Sequence, residues 1–212
     1  MGVRRFEGKR CLVAGSGPLA LATAARLRDE GGEVSTLAAS PALATEPGAA
    51  SAVADCVAAL GALDVLVTAF HEREDRPFLE LDDETWNRVL DGNLKCAFLV
   101  GREAARLMAG GGGGSIVHVG SDLGTRPRSG TGAFAAAKAG VHLLTTCMAL
   151  DLAPEGVRVC GVAAPEDGTE TIGGVAFQPE DVAAAVAFCA SGEASYVLGS
   201  TFHPSGGPPG RG

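Results

Sequence analysis

Runs of aliphatic residues, nearly free of polar ones and of strand length, recur along this chain with helix-length segments between them. They are "KRCLVAG" (9–15), "EVSTLA" (33–38), "LDVLVTAF" (63–70), "SIVHVGS" (115–121), "VRVCGVA" (157–163) and "YVLGSTF" (196–202). Helical periodicity marks 18–32, 48–61, 82–110, 131–153 and 179–191. Strands apolar at consecutive positions need cover on both faces, and strands joined through helices run parallel. The pattern predicts an α/β fold, a doubly wound parallel sheet flanked by helices on both faces, with no internal repeat. At 212 residues the chain has the length for one core, so 1–212 is expected to form a single domain with a flexible tail from about 204.

A formal charge of −8 and a pI near 5.0 leave no basic face for nucleic acid or an anionic membrane. A small-molecule substrate and protein partners are what remain. No uninterrupted apolar run reaches the roughly 18 to 20 residues that cross a bilayer. The N-terminal "MGVRRFEGKRCLVAGSGPLALATAA" mimics a secretion signal, but Gly15, Gly17 and Pro18 break its apolar part, and it reads better as strand, turn and helix. The six cysteines are scattered through apolar segments without a CxxC or neighbouring histidines, as buried thiols in the cytoplasm would be. No metal site is expected.

Ligands of doubly wound sheets bind at the carboxyl ends of the strands, where the strand order reverses. That singles out residues 15–21, 38–40, 68–71, 120–122 and 163–167. Beside them stands "GTGAFAAAKAG" (130–140), a helix start on which Phe134 and Lys138 lie one turn apart on the same face.

With these strand ends in view, the chain resembles the short-chain dehydrogenase/reductase family over nearly its whole length. The likeness is carried by "LDVLVTAF", "DETWNRVLDGNLKCAFLV", "GGGGSIVHVGS", "AFAAAKAGVHLLTTCMALDLAPEGVRVCGVAAP" and "PEDVAAAVAFCASGEASYVLGSTFHPSGG", in order. It implies a Rossmann-like domain. It also places the family's catalytic asparagine on Asn93, its serine on Ser121 and its lysine on Lys138. The proton-transferring tyrosine falls on Phe134, whose ring can neither give nor take a proton.

The nucleotide site departs from the family pattern too. In "AGSGPLAL" Gly15 is kept, while the two later glycine positions carry Leu19 and Leu21, whose side chains are expected to fill the space of a pyrophosphate. A rival reading takes Gly15, Gly17 and Ala20 as a GxGxx[GA] fingerprint, but "TLAASPA" offers only Ala38, Ala39 and Ser40 where an acid or arginine should read the ribose. About ten residues separate the second strand from the helix at Gly48, too few for a crossover and another strand, so a shortened adenine side is expected. After Pro165 a short substrate lid, "EDGTETIGGVAF", replaces a longer one.

These departures favour a chain that has lost ordinary use of NAD(P) and holds no cofactor. The first expectation is a cofactor-independent dehydratase, isomerase, lyase or cyclase acting on a carbonyl-containing or polyketide-like molecule. Ser121, Lys138, Asn93 and His71 would be catalytic, and Phe134, Asp122 and Glu166 would bind substrate, with Asp122 or Glu166 pairing Lys138. His118 reads as a hydrogen-bonded core histidine, while His142 and His203 show no constellation. A non-catalytic partner of an active relative is the second expectation, and a residual NAD(P)H-dependent oxidoreductase the third. The resemblance also implies a homo-oligomer, or a hetero-oligomer with a relative, through the helices at 83–109 and 131–153.

Overall fold

The computed structural model describes residues 3–166 and 176–205. Six strands form one sheet in the order β2-β1-β3-β4-β5-β6, every pair parallel. They are β1 (Arg10–Gly15), β2 (Glu33–Leu37), β3 (Val65–Ala69), β4 (Gly114–Ser121), β5 (Val157–Ala164) and β6 (Thr201–Phe202). The helices are α1 (Pro18–Asp29), α2 (Glu46–Leu60), α3 (Asp83–Leu90), α4 (Cys96–Gly110), α5 (Gly132–Leu152) and α6 (Pro179–Ala190).

Alternation along each strand builds two cores. Cys11 and Val13 of β1, Val65 and Val67 of β3, and Cys160 and Val162 of β5 point to the layer under α1 and α6. Leu12, Leu66 and Val159 point the other way, into the layer under α2, α4 and α5. Covering both faces removes every residue of β3 from water and explains why its sequence carries no polar alternation. The sheet ends at β2, which is only half-buried. Between β2 and α2 the chain makes one short helical turn, Pro41–Ala44, whose Leu43 plugs the core.

Two predicted elements change. The helix expected over 82–110 is interrupted by a π-helical turn, Asp91–Lys95, between α3 and α4. The strand expected over 196–202 shrinks to Thr201–Phe202, because the chain turns after α6 through Gly192–Ala194 and reaches the sheet late. The predicted lid falls largely on residues 167–175 and the predicted flexible tail largely on 206–212, both outside the described residues. The stretch Gly132–Glu155 is long and apolar enough to span a bilayer by composition, but half of it is buried inside the fold, as in a core helix.

Candidate active site

The strand order reverses between β1 and β3, so the crevice opens where their carboxyl ends part. Those ends pack closely: a Cβ on Gly15 would run into the Ala69 carbonyl oxygen. Gly17 then takes a left-handed φ of +86° as the residue before α1, with no atom within 4 Å of the Cβ it lacks. Pro18 occupies the first helical position, and the first turn of α1, which borders the crevice through Pro18 and Leu19, leaves backbone N–H groups without a partner in the helix. The Ser16 hydroxyl accepts from the Ala39 N–H at 3.0 Å and ties this turn to the end of β2.

Two cavities flank the turn. One, of about 460 Å³, is lined by Ser16, Ser40, Pro41, His71, Arg88 and Gly92, among others. The other, of about 330 Å³, is bounded by Gly17, Leu19, His71, Ser121, Pro165 and Glu166, among others. Both are lined by Ser16 and His71, so they adjoin one another at the switch point. Of the two leucines expected to plug this space, only Leu19 borders it. Positions 19 and 21 lie about 200° apart around the helix axis, so Leu21 points outward at 70% exposure while only Leu19 packs against the sheet.

Lys138 is buried, and its Nζ donates to the Phe70 carbonyl at 2.5 Å. No carboxylate pairs with it among the described residues, contrary to expectation. Burial therefore pushes its pKa down to about 8, and the Glu166 charge opposes that shift. One turn away, Phe134 is fully buried with Leu123 and Val89. His71 stands edge-on to its ring at 5.0 Å and the Arg73 guanidinium lies over it at 5.5 Å, so Phe134 supports these side chains and does not line either cavity.

Ser121 ends β4 and is 1% exposed. Its Oγ accepts from the Leu123 N–H at 3.1 Å and donates to Glu166 Oε1. Glu166, itself 5% exposed, pairs through its other oxygen with Arg73, which Asp75 also holds at 2.6 Å. Arg73 has no motif to announce it. Its signal was indirect, since a carboxylate buried at the end of β5 requires a cation from a neighbouring strand end.

Asn93 lies in the π-helical turn with all its amide capacity turned away from the groove. Nδ2 donates to the Glu72 and Val89 carbonyls at 2.6 and 2.8 Å, and Oδ1 accepts from the Glu72 N–H at 3.2 Å. It anchors the segment carrying His71 and Arg73. Asp122 also stands apart: burial and then the Glu166 charge raise its pKa, and its Oδ1 has no hydrogen-bond partner among the described residues. His118 is a core histidine bonded to Thr68 at 2.7 Å. His142 and His203, expected to be isolated, meet ring to ring at 5.9 Å because the late β6 brings residue 203 back over α5.

The short chain dehydrogenase family matches residues 6–174. The chain is 36% identical over 181 residues to a cis-4-hydroxycyclohexanecarboxylate dehydrogenase of Sinomonas cyclohexanicum, covering 77% of this chain and 73% of that one. It is 34% identical to the 3-oxoacyl-(acyl-carrier-protein) reductase FabG of Vibrio cholerae, over 69% of this chain and 67% of the relative. A short chain dehydrogenase from Mycobacterium smegmatis shares the fold with a TM-score of 0.90 at 29% identity, covering 99% of this chain and 96% of that one. The chain belongs to the short chain dehydrogenase family.

This overturns the expectation of a cofactor-independent dehydratase, isomerase, lyase or cyclase, and that of a non-catalytic partner. The relatives are a dehydrogenase and a reductase, enzymes that need an electron carrier. The expectation of no cofactor falls with it.

Proposed function

We propose that the chain is a nicotinamide-dinucleotide-dependent oxidoreductase interconverting a secondary alcohol and its ketone. The observation that carries this reading is the pair of adjoining cavities beside the Gly15–Gly17 turn, at the switch point of the sheet. Bound there, the nucleotide would supply hydride acceptance and donation.

The chain's own residues suit that occupant. Gly17 leaves open space beside the N-terminus of α1, where backbone N–H groups and the helix dipole favour a diphosphate. Ser16 and Ser40 offer hydroxyls toward the larger cavity. The resemblance gives Lys138 a ribose contact. Here its Nζ also fixes the Phe70 carbonyl, and with it the loop that brings His71 and Arg73 to the groove. In this reading Phe134 stands where relatives carry the proton-transferring tyrosine, and the glycine turn follows the Gly15, Gly17, Ala20 spacing.

The family context and the free thiols suit the cytoplasm. A second copy across α4 and α5 is the partner we favour, supported by the exposed Phe98, Leu107, Leu143 and Leu150.

Fluorescence titration with NADH and NADPH tests the reading, followed by turnover of a panel of secondary alcohols that includes cis-4-hydroxycyclohexanecarboxylate. Binding of one nucleotide at roughly micromolar Kd, about −8 kcal/mol, is the expected result. Failure of both to bind at millimolar concentration would overturn it.

A further inference from the structure

The groove lacks a phenol, yet alcohol oxidation releases a proton as well as a hydride. The ionisable side chains lining its smaller cavity, among the described residues, are His71 and Glu166. His71 is exposed at the mouth. Glu166 lies inside, and the hydroxyl bonded to it, that of Ser121, lines the same cavity. Lys138 is turned toward the Phe70 carbonyl, and neither it nor Asp122 borders the cavity. We propose that Glu166, acting through Ser121, moves the proton of the reaction in place of a phenol.

The assignment rests on the redox reading above. In the oxidising direction the substrate O–H proton passes to Ser121 Oγ as the serine's own proton passes to Glu166 Oε1, leaving a carboxylic acid. The substrate C–H bond breaks with its electron pair leaving as hydride to an oxidised nicotinamide dinucleotide, and the C=O bond forms. Reduction runs the same transfers backward. Ser121 touches substrate and is the catalytic residue, while Glu166 acts through it. Glu166 is faced by Arg73 from the loop after β3, by Ser121 and Asp122 at the end of β4 and, more distantly, by the Lys138 charge from α5. Arg73, shared with Asp75, pairs with the other oxygen of the carboxylate and leaves Oε1 to Ser121.

Three readouts test this. Glu166→Gln is expected to lower kcat for alcohol oxidation by about 10²- to 10⁴-fold, with NADH binding kept within about threefold and the acid limb of the kcat/KM profile lost. Glu166→Asp should recover part of the rate. Without any turnover, the infrared carboxyl stretching band of Glu166, taken as wild type minus Glu166→Gln, should move in Ser121→Ala at fixed pH, because Oε1 loses its hydroxyl donor.

A Glu166→Gln enzyme that binds nucleotide and keeps its rate within about threefold would overturn the assignment alone. An unmoved band in Ser121→Ala would do the same, as would loss of the acid limb in His71→Gln but not in Glu166→Gln. Wild-type protein that binds neither nucleotide overturns the redox reading and this assignment with it. Circular dichroism and thermal melts of each variant separate misfolding from lost chemistry, and Ser121→Ala serves where Glu166→Gln fails to fold.

Discussion

Lys138 shows how the fold sets a residue's chemistry. Among the described residues its ammonium donates to the Phe70 and Val119 carbonyls and pairs with no anion, and burial pushes its pKa from the ordinary 10.5 down to about 8. A depressed lysine makes the unfolded chain the stronger proton binder between those two values, so stability rises with pH across that window. Cys11 and Cys96 work against it. Burial raises their thiols to about 12 and about 11, and above pH 9 they favour the unfolded thiolates. Unfolded thiolates already begin to form between pH 8 and 9, so the lysine's own gain of about 1 kcal/mol over that interval is read in urea denaturation as the difference between the wild type and Lys138→Met. Lys138→Met should abolish that gain, and an unchanged pH slope in the variant would refute the assignment. The position of Lys138 was legible from its spacing to Phe134. Its partner was not, because backbone carbonyls leave no mark in a sequence. The same holds for Asn93, whose residue type suggested chemistry while its three hydrogen bonds hold a loop.

Among the elements, the two glycines of the first turn separate packing from backbone strain. Gly15→Ala would drive a methyl into the Ala69 carbonyl at a φ of +145°, where β1 and β3 leave no room. Neither strand can move without disturbing both cores. A loss of several kcal/mol is expected, at or beyond the roughly 1 to 3 of an overpacked core. Gly17→Ala meets no described atom within 4 Å and should cost only the strain of φ +86° with ψ −174°, a backbone conformation essentially confined to glycine, about 1 to 3 kcal/mol. Thermal melts of the two variants check the ranking, and equal losses would show that β1 and β3 are less tightly apposed. Strands buried on both faces were readable because their composition alone demands two covering layers. The π-helical turn at Asp91–Lys95 was not, since its residues continue the helical pattern and only the pull of Asn93 on Glu72 distinguishes them. Leu21 misled for a related reason: a motif position identifies a residue type, whereas helix phase decides where the side chain points.

Across the whole molecule, acid should unfold the protein in two stages. His118 lies wholly inside the sheet layer, and burial pushes its pKa down to about 4; the Lys138 charge adds to the shift. His142 is also lowered to about 4, by burial first and then by His203 and Lys138. Both are neutral in the fold. An unfolded histidine binds its proton near pH 6.5, so stability is fully present above that value and drains away as the pH falls toward 4. His118 contributes on the order of 3 kcal/mol, and His142 less, because water reaches part of it. As the pH falls through the ordinary carboxylate range and beyond, the Glu30 and Asp64 carboxylates, held down by their arginine partners, remove a second increment. His142→Leu separates the two histidines. Both ring nitrogens of His142 are buried without a partner among the described residues, so an apolar side chain of similar bulk should gain about 1 kcal/mol at pH 7. It should also flatten the decline between pH 6.5 and 4 without removing it. Urea midpoints measured at half-unit steps of pH decide the matter: a first stage equally steep in the variant would mean that His118 alone sets it, and no decline above pH 4 would mean that neither histidine is held neutral by the fold.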